Sequence, residues 1–382
     1  MIFVMLNRQA VNNSQISDSD GNHRLSLMSL GSTPKKIMAF ATAISVLAGG
    51  GLFLVYQLWS ASKLGALSAP SAGMVALNAD DWLKLSQKNT RNLDGFIVFS
   101  SNRDGNHDIF RRDLNTFKLE KVTDHPHTET YPRISPNGKR LVFARAHQEW
   151  VSLRNTVAWD IYLLDLESLD EKKIASNGTA PHWLNNSEIS YLHNATEVER
   201  VNVDSLSSTT LYQSGEGNMM PVGAHLQNPK YNDKTKQLVF TARQSDIGSN
   251  KGHWGTAIDT NGQHKAVLEG CELGWASDNV HLYQVNPNGP DGTIHIVSIN
   301  PQTLKHTELI NLEGEFTHEY WPKDSSNGDY MVFGASRGRD HHEHDTEDYE
   351  IFLWKVGSSP SEATRITFHT GNDNWPDVFI AK

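Results

Sequence analysis

The chain has 382 residues and a net charge of −10, with 34 Lys and Arg against 44 Asp and Glu. No long basic run follows the N-terminal region, which argues against nucleic acid as a partner, because phosphate-backbone binders carry a basic stripe. A single cysteine, Cys271, excludes an intrachain disulfide framework; with no partner thiol and no catalytic setting it reads as a structural thiol.

In chain order, the first predicted element is apolar. Residues 37–59 carry no charge and match the roughly 20 residues that cross a bilayer's hydrocarbon core. Lys35 and Lys36 precede this run, Arg8 and Arg24 lie upstream, and Tyr56 and Trp59 mark its far end. The positive-inside rule then predicts a single-pass anchor in the inner (cytoplasmic) membrane. Residues 1–36 would form a cytoplasmic tail, and the rest would lie on the periplasmic or extracellular side. A cleaved signal peptide is the competing reading, with Ala66, Ser68 and Ala69 near a cut site, but secretory apolar cores are shorter. Residues 60–92 read as a linker, in which Asp80-Asp81-Trp82-Leu83-Lys84-Leu85 compose either one short helix with an acidic start or tethered coil.

From residue 93 to 382 one unit recurs six times: a short strand entered through Pro or Trp, a polar turn, and a second strand ending in an aromatic. It reads Tyr131-Pro132-Arg133-Ile134-Ser135-Pro136-Asn137-Gly138, then Leu141-Val142-Phe143. It returns at Pro181-His182-Trp183, Pro229-Lys230-Tyr231, Leu273-Gly274-Trp275, Trp321-Pro322 and Trp375-Pro376-Asp377-Val378-Phe379. The spacing of roughly 44 to 54 residues is that of a propeller or solenoid. Each unit holds four alternating, β-rich runs, such as those around Ile134, at 140–145, at 160–166 and at 172–175, which predicts one four-stranded blade per unit. Asn137-Gly138 is expected to supply positive-φ residues to a tight hairpin. The last copy supplies only an inner strand at 375–380, and its missing strands stand at the front, at 95–100, 108–114 and 117–122. Joining the two termini in one blade removes exposed sheet edges. The predicted fold is therefore all-β: a six-bladed β-propeller whose N- and C-terminal strands close one blade, preceded by a single transmembrane helix.

Ser135-Pro136-Asn137-Gly138-Lys139 followed by Leu-Val-Phe is similar to the repeat of TolB-like propellers, as is the stretch Ser100-Ser101-Asn102-Arg103-Asp104-Gly105-Asn106-His107-Asp108. The resemblance covers nearly all of residues 93–382 and implies the six-bladed architecture. TolB itself carries an additional N-terminal α/β domain, in whose place this chain has the apolar segment, so a role in the Tol–Pal system is not implied. Related propellers accompany serine peptidases, but no Gly-x-Ser-x-Gly elbow occurs here.

The loops joining second to third strands share one face with the segments joining blades, and most of the 18 histidines fall there. The densest stretch, with His341, His342 and His344, fits no fixed metal motif and reads as a solvated loop. Asp104-Gly105-Asn106-His107-Asp108 lacks the full EF-type ligand series and reads as hairpin chemistry. Arg103, Arg145, Arg243 and Arg337, near the ends of second strands, are expected to pair with the third-strand acids Asp108, Asp160 and Glu350, with an anion-binding ring on that face as the alternative. A more deliberate cluster enters the inner strands: His127, His225, His318 and His369, with Glu129, Glu319 and Asp373 as acidic partners and Tyr131, Trp321 and Trp375 alongside. Convergent polar groups beside aromatics describe a ligand pocket. The expected function is binding of an envelope protein, a peptide or a glycan. The alternative is a metal-dependent polysaccharide lyase or other carbohydrate-active enzyme, with a divalent transition metal on His225, His318 and His369 and acid–base chemistry shared with Glu319.

Overall fold

The computed structural model describes residues 79–381, apart from 152–157, 216–219, 244–245, 247–253, 290–291 and 338–347. Helix α1 (Ala79–Thr90) opens it and is longer than the sequence run that announced it. Asp80 and Asp81 in its first turn and Lys88 in its last suit the helix dipole. Its inward face is partly polar, which hid it from a hydropathy reading. Ser86 and Thr90 are buried and bond back to the Trp82 and Ser86 carbonyls, while Leu83 joins a core cluster. Among the described residues no helix is long and apolar enough to cross a membrane, and the predicted span 37–59 lies outside them.

The strands follow in blade order. β1 (Gly95–Ser101), β2 (Asp108–Asp113) and β3 (Leu119–Lys121) begin blade 1. Blade 2 is β4 (Glu129–Ile134), β5 (Arg140–Ala146), β6 (Trp159–Asp165) and β7 (Glu171–Ala175). Blade 3 is β8 (Gly178–Trp183), β9 (Glu188–His193), β10 (Glu197–Asn202) and β11 (Ser208–Gln213). Blade 4 is β12 (Gln227–Asn232), β13 (Gln237–Arg243), β14 (Trp254–Thr260) and β15 (Gln263–Glu269). Blade 5 is β16 (Cys271–Trp275), β17 (Leu282–Asn286), β18 (His295–Ile299) and β19 (His306–Ile310). Blade 6 is β20 (His318–Asp324), β21 (Tyr330–Ser336), β22 (Glu350–Lys355) and β23 (Thr364–Arg365), and β24 (Asp373–Ile380) ends the chain. The result is six four-stranded antiparallel sheets, and the order β24-β1-β2-β3 shows the terminal strands closing blade 1. The predicted six-bladed propeller, closed through blade 1, is thus the observed one.

The core lies between blades. The aromatics that end the second strands, Phe99, Phe143, Tyr191, Phe240 and Phe333, are buried, and each packs in an inter-blade cluster. The first hairpin of blade 2 corrects one expectation. Only Gly138 is left-handed, at φ +72°, and Asn137 is not. Asn137 instead accepts from Ser135 Oγ (2.7 Å) and the Lys139 amide (3.2 Å), tying the loop as an Asx turn.

Every inner strand carries one bulge at the same place. Pairing with the second strand is interrupted at Trp375-Pro376, Tyr131-Pro132, Ala180-Pro181, Asn228-Pro229, Glu272-Leu273 and Trp321-Pro322. The first residue of each pair is left-handed, with φ between +46° and +55°. A bulge leaves the next amide out of the ladder, so proline fits there without losing a hydrogen bond. In all six blades pairing resumes on the residue that follows: Asp377, Arg133, His182, Lys230, Gly274 or Lys323.

Candidate functional site

Two residues before the bulge, three inner strands open on a fully buried carboxylate: Glu129, Glu319 and Asp373. Arg103 donates through Nη2 to both oxygens of Asp373, at 2.8 and 2.7 Å. Arg145 donates through Nε to Glu129 at 2.6 Å and forks onto Glu171 at 2.8 and 2.6 Å. Arg337, their counterpart in blade 6, is drawn to Glu315 (3.0 Å) and Asp348 (2.7 Å). Among the described residues Glu319 meets no cation: one oxygen accepts the Leu312 amide at 2.6 Å, and the other has no partner there. Burial pushes the Glu319 carboxyl up to about 8, against the backbone hydrogen bonds.

These pairs correct the expected arginine partners. The third-strand acids go elsewhere: Asp108 to Lys121 (3.0 Å), Asp160 to His147 (2.9 Å) and Lys173 (3.4 Å), and Glu350 to Arg365 and Thr367. Arg103 and Arg145 point inward to the strand openings, which gives them deeper carboxylates. Lys121 also reaches Asp104 at 3.6 Å, so an ammonium group already stands between the two acids of that hairpin.

The histidines do not gather. His127 shares its Nδ1 with the Ala146 carbonyl at 3.0 Å and lies edge-on to His125. His225 is exposed in the segment joining blades 3 and 4. His318 is buried and stacks on Tyr320 with ring centres 5.2 Å apart. His369 is half-buried and accepts the Gly371 amide on Nδ1 at 2.8 Å. Among the described residues, His193, Glu197 and Glu199 are the one group of three or more such side chains whose ligand atoms lie within 4.8 Å of one another. His225, His318 and His369 form no such group, and His341, His342 and His344 lie outside the described residues. The His193 group sits on the β9–β10 hairpin, where His193 Nδ1 lies 3.0 Å from Glu197 and Tyr191 donates its hydroxyl to Glu199.

The aromatics do gather. Trp375 lies 3.8 Å from Tyr131 and 5.2 Å from Trp321 between ring centres. Their exposures are 6% for Tyr131, 2% for Trp321 and 5% for Trp375, so they form a buried wall whose faces cover one another. They are the three aromatic members of the left-handed bulge positions, which aims them alike from adjacent blades 1, 2 and 6. Cys271 is half-buried and reaches the Tyr320 hydroxyl at 3.7 Å, packed against this core cluster.

A second set of polar groups, absent from the sequence reading, sits where pairing resumes after the bulges. Arg133, Lys230 and Lys323 come from alternate blades 2, 4 and 6, with Asp377, His182 and Gly274 between them. They converge on the axis. His182 of blade 3 is pushed well down, by burial first and then by the charges of Lys323, Lys230 and Arg133. Lys323 belongs to the blade directly across the ring from His182. Burial lowers Lys230 to about 8 and Lys323 to about 7, and Arg133 opposes the charge of both. Trp183 Nε1 donates to the Arg133 carbonyl (2.8 Å) and Trp275 Nε1 to that of Lys230 (3.2 Å), so neighbouring blades hold this backbone in place. The signal was in the chain all along: four of the six copies follow the bulge with Arg, His or Lys.

A closed six-bladed β-propeller with buried acid–arginine pairs at its strand openings and a polar axial channel is the class of protein these features define. No protein-family profile matches the sequence, and no curated protein resembles it in sequence. Solved structures do resemble it. TolB from Acinetobacter baumannii is similar with a TM-score of 0.53 and 14% identity, over 75% of this chain and 67% of that one. A putative TolB from Agrobacterium tumefaciens gives 0.49 and 12%, over 72% of this chain and 89% of that one. An oligogalacturonate lyase in complex with manganese gives 0.42 and 14%, over 70% and 72%. The chain is thus a TolB-like six-bladed propeller in fold, and identities this low speak to fold alone.

Proposed function

We propose that this protein is a membrane-anchored, extracytoplasmic binding module that engages an envelope protein, a peptide or a glycan. The contact surface is the face made by the loops between second and third strands and the segments joining blades. One observation carries this reading: two of the three buried acids under that face are compensated, in Arg103–Asp373 and Arg145–Glu129–Glu171, while His225 and Val222 in a segment joining blades stay exposed. A rigid, neutralised platform under exposed loops suits recognition. The uncharged run 37–59 supports the anchor. The alternative, a metal-dependent polysaccharide lyase or other carbohydrate-active enzyme, is less well supported. Its candidate ligands His225, His318 and His369 are dispersed and do not fit a metal, and Glu319 is fully buried.

The test is a photo-cross-linking residue placed in the full-length protein in cells. At Val222, on the proposed face and 89% exposed, it should trap a discrete partner. At Leu206, on a turn of the opposite face and 49% exposed, it should not. Equal trapping at both positions, or none at Val222, would contradict the proposal.

A further inference from the structure

Among the described residues the basic groups of the axial ring form no ion pair. Arg133 donates only through Nη1, to the carbonyls of Pro132 (2.7 Å), Trp375 and Pro376 (both 3.4 Å). Lys230 makes one bond, to the Leu273 carbonyl at 3.2 Å. Lys323 makes no hydrogen bond or ion pair with any described residue, yet it keeps partial solvent contact inside the channel. Asp377 favours the charged forms of Arg133 and Lys323, and Glu272 those of Arg133 and Lys230, but neither acid forms an ion pair with them. Asp377 spends its two oxygens on the Ile134 and Val378 amides, at 2.8 and 3.0 Å, and Glu272 is held by Asn228. No carboxylate lies within 4.0 Å of Arg133, Lys230 or Lys323 among the described residues. Gly274 completes the arrangement: a Cβ there would stand 2.9 Å from Lys230 Nζ, so the missing side chain makes room for the ammonium group.

Three basic groups at the axis of a chain of net charge −10 oppose one another's charge, and with only Asp377 and Glu272 nearby their charged forms are costly to keep in a protein interior. Their origin in alternate blades gives them a pseudo-threefold arrangement about the axis. That symmetry matches three oxygens of a tetrahedral anion, with a guanidinium group and two ammonium groups as donors. We infer that the channel is a binding site for one tetrahedral oxyanion, a phosphate or sulfate group, held by Arg133, Lys230 and Lys323. His182 stands beside it as a neutral hydrogen-bonding group. The site lies inside the ring and is independent of the loop face proposed above, so either can fail while the other stands.

Orthophosphate and sulfate, each added to the purified full-length protein, test the inference by calorimetry and by phosphorus NMR. One anion should bind saturably per chain, with formate binding far more weakly. Lys230→Met and Lys323→Met should each weaken phosphate at least tenfold, while Lys323→Arg, which keeps the charge, should retain most of the affinity. Circular dichroism identifies any variant that fails to fold, and Lys323→Arg then carries the test. Binding of sulfate, which has no proton of its own to release near neutral pH, should also be accompanied by proton uptake by the lysines, read from calorimetry in two buffers of different ionisation enthalpy. Absence of saturable binding of both anions at millimolar concentration would overturn the inference, as would phosphate affinity unchanged in both methionine variants. Formate binding as tight as phosphate would overturn the tetrahedral assignment.

Discussion

Two rings of charge lie along the inner strands, four residues apart, and they are built on opposite principles. At the strand openings, Asp373 and Glu129 are buried acids, each met by an arginine at 2.8 Å or less. Beyond the bulges, Arg133, Lys230 and Lys323 are cations that no carboxylate meets. The same repeat thus yields a ring that stabilises the propeller and a ring that does not. Glu319 marks the boundary between the two, an opening acid whose arginine has gone to Glu315 and Asp348. The lesson is that buried charge in this fold is informative only with its partner: paired, it is scaffold, and unpaired, it is a site.

Substitutions can break that contrast. Arg145→Met would strand Glu129 in the core and should cost about 3–5 kcal/mol of stability in chemical denaturation, the usual result of removing one partner of a buried pair. Glu319→Gln should show in the pH dependence. The contribution of Glu319, whose folded value of about 8 lies above its ordinary 4.5, is fully present below pH 4.5 and is lost as pH rises through 8. Relative to Glu319→Gln, the natural protein should therefore lose roughly 2–4 kcal/mol across that window. A flat difference would mean that Glu319 has a partner at the opening. Lys323→Met, measured without phosphate or sulfate, should do the opposite of Arg145→Met and raise stability by about 1–2 kcal/mol, because it removes a cation that nothing compensates. A loss there would mean that the axial ring is scaffold after all. Away from both rings, Gly138→Ala should cost about 1 kcal/mol, since Gly138 is left-handed and its Cβ would press on the Phe379 ring of the closing strand.

The architecture was legible in the sequence because each blade repeats a physical necessity: a bulge, Pro-bearing in five of the six blades, a turn, and an aromatic that fills the next inter-blade core. Even the closure of blade 1 could be read, since the strand missing at the front was present at the end. The candidate site was less legible. Tyr131, Trp321 and Trp375 pack ring to ring, and their equivalence as left-handed bulge residues, which turns them onto one another, is a backbone property that no composition reveals. The four histidines looked convergent because they share loop positions, yet loop position does not fix where a side chain points, and His225 and His318 end at opposite extremes of exposure. The arginines were given the wrong acids because strand order predicts neighbours along a sheet, while Arg103 and Arg145 reach back to the inner strand. The axial cations were overlooked for a simpler reason. They stand one residue past the prolines that defined the repeat, and scattered over 190 residues from Arg133 to Lys323 they form no run in the chain.

The most direct test of the two-ring account is an NMR pH titration of the lysine side chains in the full-length protein, with Lys230→Arg and Lys323→Arg used to assign two resonances. The account predicts that these two lysines titrate near 8 and 7, far below the others, and that both move upward when phosphate is added. If both titrate with the bulk of the lysines and ignore phosphate, the axial cations are already paired and the distinction between the two rings does not hold.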